Sequence, residues 1–132
     1  MLTLSPPLDI KPKWFANHPA YTISKFGMSM CTLGMAEEFR ADGIAFNSLW
    51  PRTLIATAAV LNIAGGEAGM NGARKPEIMA DAAHAIFSRP ARDCTGNFFI
   101  DDEVLAEEGI TALDGYSLVP GAELILDLYV EP

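Results

Sequence analysis

The spacing of apolar residues along the chain changes several times, and each change marks an element. Met1 to Ser5 is a short apolar run broken by Pro6-Pro7, which predicts the end of a buried strand entering a loop. From Pro19 to about Ala41 the apolar residues Ile23, Phe26, Met30, Leu33 and Met35 recur at helical spacing, Glu37 and Glu38 fall on the polar side, and Gly43 supplies a stop. Pro19 suits the first turn, where a missing N–H costs nothing. Ile44 to Pro51 is apolar with Asn47 and Ser48 inside, as in a buried parallel strand. Leu54 to Gly72 reads as helical and then glycine-rich. Arg74 to Ser88 is amphipathic, with Pro76 at its start and Ile78, Ala82, Ala85 and Ile86 on one side, so a helix covering a sheet is expected. Thr95 to Asp101 is the last predicted strand, and a short helix follows from Asp101-Asp102-Glu103. Leu113 to Pro132 holds two apolar runs around Pro120-Gly121 and is expected to strap the outside.

Composition narrows the function classes. Half of the 132 residues are apolar, enough for one packed domain and too many for a disordered chain. Residues 101 to 132 carry nine acids and no base, whereas the first hundred carry eight acids and nine bases. No basic stripe exists to follow a phosphate backbone, so nucleic acid is not an expected partner. The acidic stretch reads first as a solvated surface and second as a partner contact. Cys31 and Cys94 are too few for a disulfide framework and lie in no Cys-x-x-Cys or Cys/His spacing, so buried free thiols and no metal site are expected. The most apolar run, Leu54 to Gly66, is interrupted by Thr57 and Asn62 and falls short of the ~20 residues that span a bilayer. The N-terminus lacks the basic start of a cleavable signal. A cytoplasmic protein is expected, with mitochondrion or peroxisome as alternatives in a eukaryote.

The residues with the clearest chemistry are Tyr21 and Lys25, near the start of the long helix. Four positions is just over one turn, so phenol and ammonium project from one face. A free phenol ionises near pH ~10, and a neighbouring cation favours the phenolate. Poising it near neutrality requires on the order of 4 kcal/mol, of which one lysine in a partly dry cleft supplies much and a cationic ring the rest. The same pair also occurs on solvated helix surfaces, so the five residues alone are a weak signal.

The flanking motifs sharpen it. Leu2-Thr3-Leu4-Ser5, the loop Pro6 to Pro19, the Ala20-Tyr21-Thr22-Ile23-Ser24-Lys25-Phe26-Gly27-Met28-Ser29-Met30 helix and the strand Ile44 to Pro51 resemble, in that order, the short-chain dehydrogenase/reductase family. A glycine-rich dinucleotide fingerprint precedes this segment in the family. No Gly-x-Gly-x-x-Gly or Gly-x-x-x-Gly-x-Gly follows a strand here, and Gly65-Gly66 lies in a loop-like stretch.

The resemblance implies an α/β fold: the C-terminal half of a Rossmann-like, doubly wound parallel sheet in three α/β/α layers, with the N-terminal cofactor-fingerprint half absent. Residues 1–112 would form that half domain and 113–132 an acidic C-terminal strap. The chain is then expected to be part of a longer enzyme, as a fragment, a truncated gene product or a separate chain. The implied activity is an NAD(P)-dependent oxidoreductase, NADP favoured, acting on a carbonyl or alcohol of apolar, acyl or steroid-like character. Tyr21 would be the general acid/base, Lys25 would hold the ribose hydroxyls, and Ser5 would take the place of the family's serine. Sixteen positions separate Ser5 from Tyr21, more than is usual in the family, so a serine that merely ends a strand is an equal reading. The family writes Pro-Gly after the strand, where this chain has Pro51-Arg52; Pro51 with Thr53 or Thr57 would touch the cofactor. Leu54 to Gly72 would be a substrate lid. Trp14 and Phe15 would line the substrate or anchor packing, and His18 and His84 are read as structural. The Tyr21–Lys25 helix would also build a homo-oligomer, with Gly27 and Gly34 allowing close packing. The alternative reading is a non-catalytic fragment or interaction module. A hydrolase using Ser5 lacks a Gly-x-Ser-x-Gly elbow.

Overall fold

The computed structural model describes residues 1–131. Three parallel strands, β1 (Leu2–Leu4), β2 (Asn47–Trp50) and β3 (Phe98–Ile100), lie in the order β1-β2-β3. Leu2 pairs with Asn47 and Ser48 with Phe98, so β2 is central, and all four of its residues are buried. Parallel neighbours need long crossovers. Helix α1 (Pro19–Glu38) makes the first. The short helices α2 (Ala58–Asn62) and α3 (Gly66–Asn71), followed by α4 (Glu77–Ser88), make the second. Helix α5 (Asp101–Glu107) starts directly at the end of β3.

Alternation along β2 sends neighbouring side chains to opposite faces. Leu49 joins Ile78, Ala82 and Ile86 of α4 and Val104 and Leu105 of α5 in one core. Trp50 joins Phe26 of α1, Ile100, Tyr129 and Val130 in the other. The result is the expected layered α/β arrangement, with helices on both faces of the sheet. The predicted strands are longer than the observed ones: Ile44, Ala45 and Phe46 precede β2, and Thr95, Gly96 and Asn97 precede β3. The long helix ends at Glu38, and residues 39–43 turn away to Gly43, whose φ of 71° favours glycine.

Helix α1 is seated differently from its apolar pattern. Its buried positions are Thr22, Phe26, Ser29, Thr32 and Ala36, while Ile23, Met30 and Leu33 are exposed. Small hydroxyl residues let the helix lie close to the sheet and bond to β1 and the segment that follows it. Ser29 donates to the Pro6 carbonyl at 2.5 Å, and the Thr32 and Thr3 hydroxyls meet at 2.5 Å. Thr22 donates to the Trp14 carbonyl at 2.7 Å.

Two further expectations change. Cys94 is buried as expected, but Cys31 is exposed. The strap from Leu113 does not lie only on the outside, because Tyr129 and Val130 are buried in the α1-side core. It also crosses Gly72 closely: a Cβ there would come within 2.6 Å of Ile125, whose N–H donates to the Gly72 carbonyl. The acidic stretch is not simply solvated. Asp102 and Glu103 pair with Arg52, Glu107 and Glu108 with Arg89, and Glu131 with Lys11 and Lys13.

Asn47 stitches the amino ends of the strands. Its Nδ2 donates to the Cys94 carbonyl at 2.8 Å, and its Oδ1 accepts from the Asn97 N–H at 3.0 Å. Asn47→Ala leaves the Cys94 carbonyl and the Asn97 N–H without these bonds in a largely buried site. A loss of about 2–3 kcal/mol is expected in urea unfolding, whereas a surface change such as Glu38→Ala stays within about 0.5 kcal/mol.

Candidate active site

In an open α/β sheet ligands sit beyond the carboxyl ends of the strands. Here those ends are Leu4-Ser5, Trp50-Pro51-Arg52 and Ile100-Asp101, and α1 brings Tyr21 and Lys25 to them. The Lys25 Nζ donates to the Leu4 carbonyl at 3.0 Å and lies 5.3 Å from the centre of the Trp50 ring. Tyr21 is 45% exposed, and its ring stacks on Tyr129 with centroids 6.5 Å apart and planes 21° from parallel.

The expected lowering of the tyrosine's pKa by Lys25 is not found in this chain. Burial raises the Tyr21 phenol above its ordinary value, and the charges of Asp127 and Tyr129 raise it further. The physical reason lies in where the lysine points: its ammonium is engaged by the Leu4 carbonyl and the Trp50 face, while an acid from the strap acts on the phenol.

The other candidates separate. Ser5 is fully buried, and its Oγ has no hydrogen-bond partner among the described residues. Pro51 is buried. Thr53 is also buried, with its hydroxyl 3.5 Å from the Leu54 carbonyl. Thr57 is exposed at the start of α2, and its side chain makes no capping bond. Arg52 does not reach into open space, because its guanidinium is held by Asp102 and Glu103 and also donates to the Glu131 carbonyl. Trp14 and Phe15 pack on the core around Tyr129 and Phe26. His18 precedes α1 and bonds Thr22 through Nδ1 at 3.1 Å, while His84 is exposed.

Sequence reasoning missed two acids. Asp101 is fully buried: its Oδ1 accepts from the N–H groups of Arg52 and Asp102, both at 2.8 Å, and its Oδ2 has no partner among the described residues. Burial raises its pKa. Asp127 lies half-buried on the strap, where its N–H donates to the Arg52 carbonyl at 3.0 Å. Burial pushes its carboxyl up to about 6; the Leu128 N–H opposes this, Asp101 adds to it and Lys25 opposes it. Nothing in the local pattern around Asp127 distinguishes it from the other acids of the tail; only the strap's path does.

A cavity of about 330 Å³ opens at the amino ends of the strands, lined by Met1, Ile44, Asn47, Phe87, Arg89 and Cys94. It is remote from Tyr21. A second, of about 340 Å³, lies beside Arg52, Asp102, Glu103 and Ile110 at the carboxyl ends. No helix among the described residues is long and apolar enough to cross a membrane.

Over nearly its whole length the chain is similar to dehydrogenases of the short-chain class. The solved structures agree: a protein described as a dehydrogenase from Xanthomonas campestris superposes with a TM-score of 0.92 at 51% identity, covering 99% of this chain and 47% of that one. A short-chain dehydrogenase from Mycobacterium thermoresistibile gives 0.87 at 51% identity, covering 98% of this chain and 46% of that one. Among curated proteins the chain is similar to hydroxysteroid dehydrogenase-like protein 2, at 54% identity over 131 residues to the mouse protein and 50% to the human one. The chain spans 26% and 31% of those two proteins' lengths. No family model matches.

The raised Asp127 carboxyl makes a pH prediction. Its folded pKa, about 6, exceeds the unfolded value of 3.8, so between those pH values the native state holds more protons than the unfolded chain. Stability therefore falls as pH rises through that window. Asp127→Asn keeps an acceptor for the Leu128 N–H and removes the charge. Thermal unfolding should show the variant more stable than the parent at pH 7, by on the order of 1–3 kcal/mol, and little different at pH 4.

Proposed function

We propose that the chain carries the acid/base part of a nicotinamide-dependent oxidoreductase, in which hydride passes between cofactor and a carbonyl or alcohol carbon. The single observation that carries this is the placement of Tyr21 and Lys25 together at the carboxyl ends of a parallel sheet, with the phenol half exposed. Tyr21 gives its proton to the oxygen as a carbonyl is reduced and takes it back in the reverse direction. Lys25 has donors left beyond its bond to Leu4, and these suit ribose hydroxyls. Drawn toward the phenol, the same ammonium would offset the burial and acid charge that now hold Tyr21 protonated.

The residues fit one end of such a cofactor. Lys25, Tyr21 and the hydroxyl of Thr57 are available to the ribose and nicotinamide, with Pro51 and Thr53 shaping the floor. When bound, the nicotinamide supplies the hydride and a positive ring in its oxidised form. The preference for NADP over NAD rests on the family resemblance alone. Ser5 would donate to the substrate oxygen only if the end of β1 opened, because its unpartnered hydroxyl is fully buried. An apolar, acyl or steroid-like substrate accords with the exposed Leu61 and Ile63 of the lid. The second reading, a chain that binds no cofactor alone, is favoured by the raised Tyr21 phenol and the engaged Lys25. Titrating NADPH into the 132-residue chain separates the two: saturable binding refutes the second. In a chain that turns over, Tyr21→Phe should reduce kcat at least ~100-fold. Retained turnover would remove the mechanism.

The exposed face of α1 supports a homo-oligomer. Ile23, Met30 and Leu33 are exposed on it, and a Cβ added at Gly27 or Gly34 would meet nothing within 4 Å. Gly34→Glu therefore leaves the protomer's packing intact but places a charge in any helix-to-helix contact. Sedimentation should show the parent chain as an oligomer and the variant as a monomer with unchanged circular dichroism.

A further inference from the structure

The C-terminal strap reaches the site from outside the helix that carries Tyr21. Its backbone is fixed on both sides of Asp127: the Leu54 N–H donates to the Ile125 carbonyl at 2.9 Å, and Trp50 Nε1 donates to the Leu128 carbonyl at 2.8 Å. Tyr129 follows with a φ of 69°, a left-handed conformation that a non-glycine residue rarely adopts unless something holds it there. What holds it there is its side chain. The ring is buried among Trp14, Tyr21, Phe26 and Trp50, and its hydroxyl meets that of Thr22, the residue beside Tyr21, at 2.9 Å.

We propose that this strap is a working wall of the site: Tyr129 is a positioning residue that fixes the plane of the Tyr21 ring, and Asp127 is a positioning residue that sets the charge felt by Tyr21 and Lys25. The assignment rests on the reading of Tyr21 and Lys25 as the acid/base pair. The charge of Asp127 adds to the burial that already favours the protonated phenol. With its carboxylate neutral, burial and Tyr129 alone hold that proton. The groups around Asp127 and Tyr21 are Lys25 of α1, Asp101 from the start of α5 with Arg74 behind it, and Tyr129, against whose ring His18 lies. Arg52 lies at the end of β2 with its guanidinium held by Asp102 and Glu103, and Glu131 at the strap's end pairs with Lys11 and Lys13.

The test needs no substrate. The chain has three tyrosines, Tyr21, Tyr116 and Tyr129, so isotope labelling of tyrosine gives three ring signals to follow by NMR against pH. In the parent chain the Tyr21 signal should show a small inflection near pH 6, as Asp127 ionises, ahead of its own ionisation. In Asp127→Asn that inflection should vanish, and the phenol should ionise at lower pH than in the parent. His18→Gln removes the imidazole that lies against the Tyr129 ring, and the inflection should persist in it. Tyr129→Phe should keep the ring-current shift of Tyr21, and Tyr129→Leu should lose it. If Asp127→Asn fails to fold, the parent chain and His18→Gln decide together. An inflection absent from the parent or lost in His18→Gln, or a Tyr21 ring-current shift that survives Tyr129→Leu, overturns the assignment. Neither outcome depends on hydride transfer, so failure here leaves the Tyr21→Phe result standing, and a failure of that result leaves these spectra unchanged.

Discussion

The structure depends on how closely α1 can approach the sheet. Thr22, Ser29 and Thr32 are the residues that make the approach, because each is small and each carries a hydroxyl that bonds across the gap. A helix packed through large aliphatic side chains would stand farther off. Close seating sets the position of the next residue along: Tyr21 beside Thr22 and Lys25 one turn on arrive at the strand ends rather than above the middle of the sheet. Each hydroxyl bond contributes only about 0.5–1.5 kcal/mol, but a buried carbonyl left without its donor costs more, so the set acts mainly by excluding other seatings.

That device explains why the apolar pattern marked the helix but, Phe26 apart, did not mark the residues that bury against the sheet. Ile23, Met30 and Leu33 recur at helical spacing and mark α1 clearly, yet they are exposed. Periodicity assumes that apolar residues face the core; here threonine and serine do, with their polarity satisfied by carbonyls that the sequence cannot locate. Elements were legible because Pro6-Pro7, Gly43 and Pro76 punctuate them locally. Strand lengths were less so, because apolar residues such as Ile44 and Phe46 precede β2 without pairing as part of it. Tyr21 and Lys25 were legible as a spacing. Their electrostatics were not, since Asp127 lies at the far end of the sequence and reaches them only by the path of the strap.

The acidic tail shows the same limit. Its excess of acids suggests solvated surface, but the tail is where the bases of the body find their partners: Arg52, Arg89, Lys11 and Lys13 all pair with it. Most of these pairs are exposed and individually worth about 0–1 kcal/mol, so they fix register more than they add stability. Asp101 and Asp127 take no part in these pairs. They lie instead at the strand ends, the first fully buried and the second half-buried, and their carboxyls are raised by that burial.

Two desolvated carboxyls beside one phenol and one ammonium form an unstable balance. Burying a charge without a partner is costly, and a carboxylate so placed responds by holding its proton to higher pH. Asp101 meets part of the cost through two backbone N–H groups. Asp127 has one, from Leu128, so its charge is the more easily changed by what happens nearby. A positive ring arriving at the strand ends would favour the charged forms of both carboxyls and of the phenol at once, and the site would pass from one that holds protons to one that releases them. On the proposed reading, the basicity of Tyr21 therefore need not come from the lysine alone.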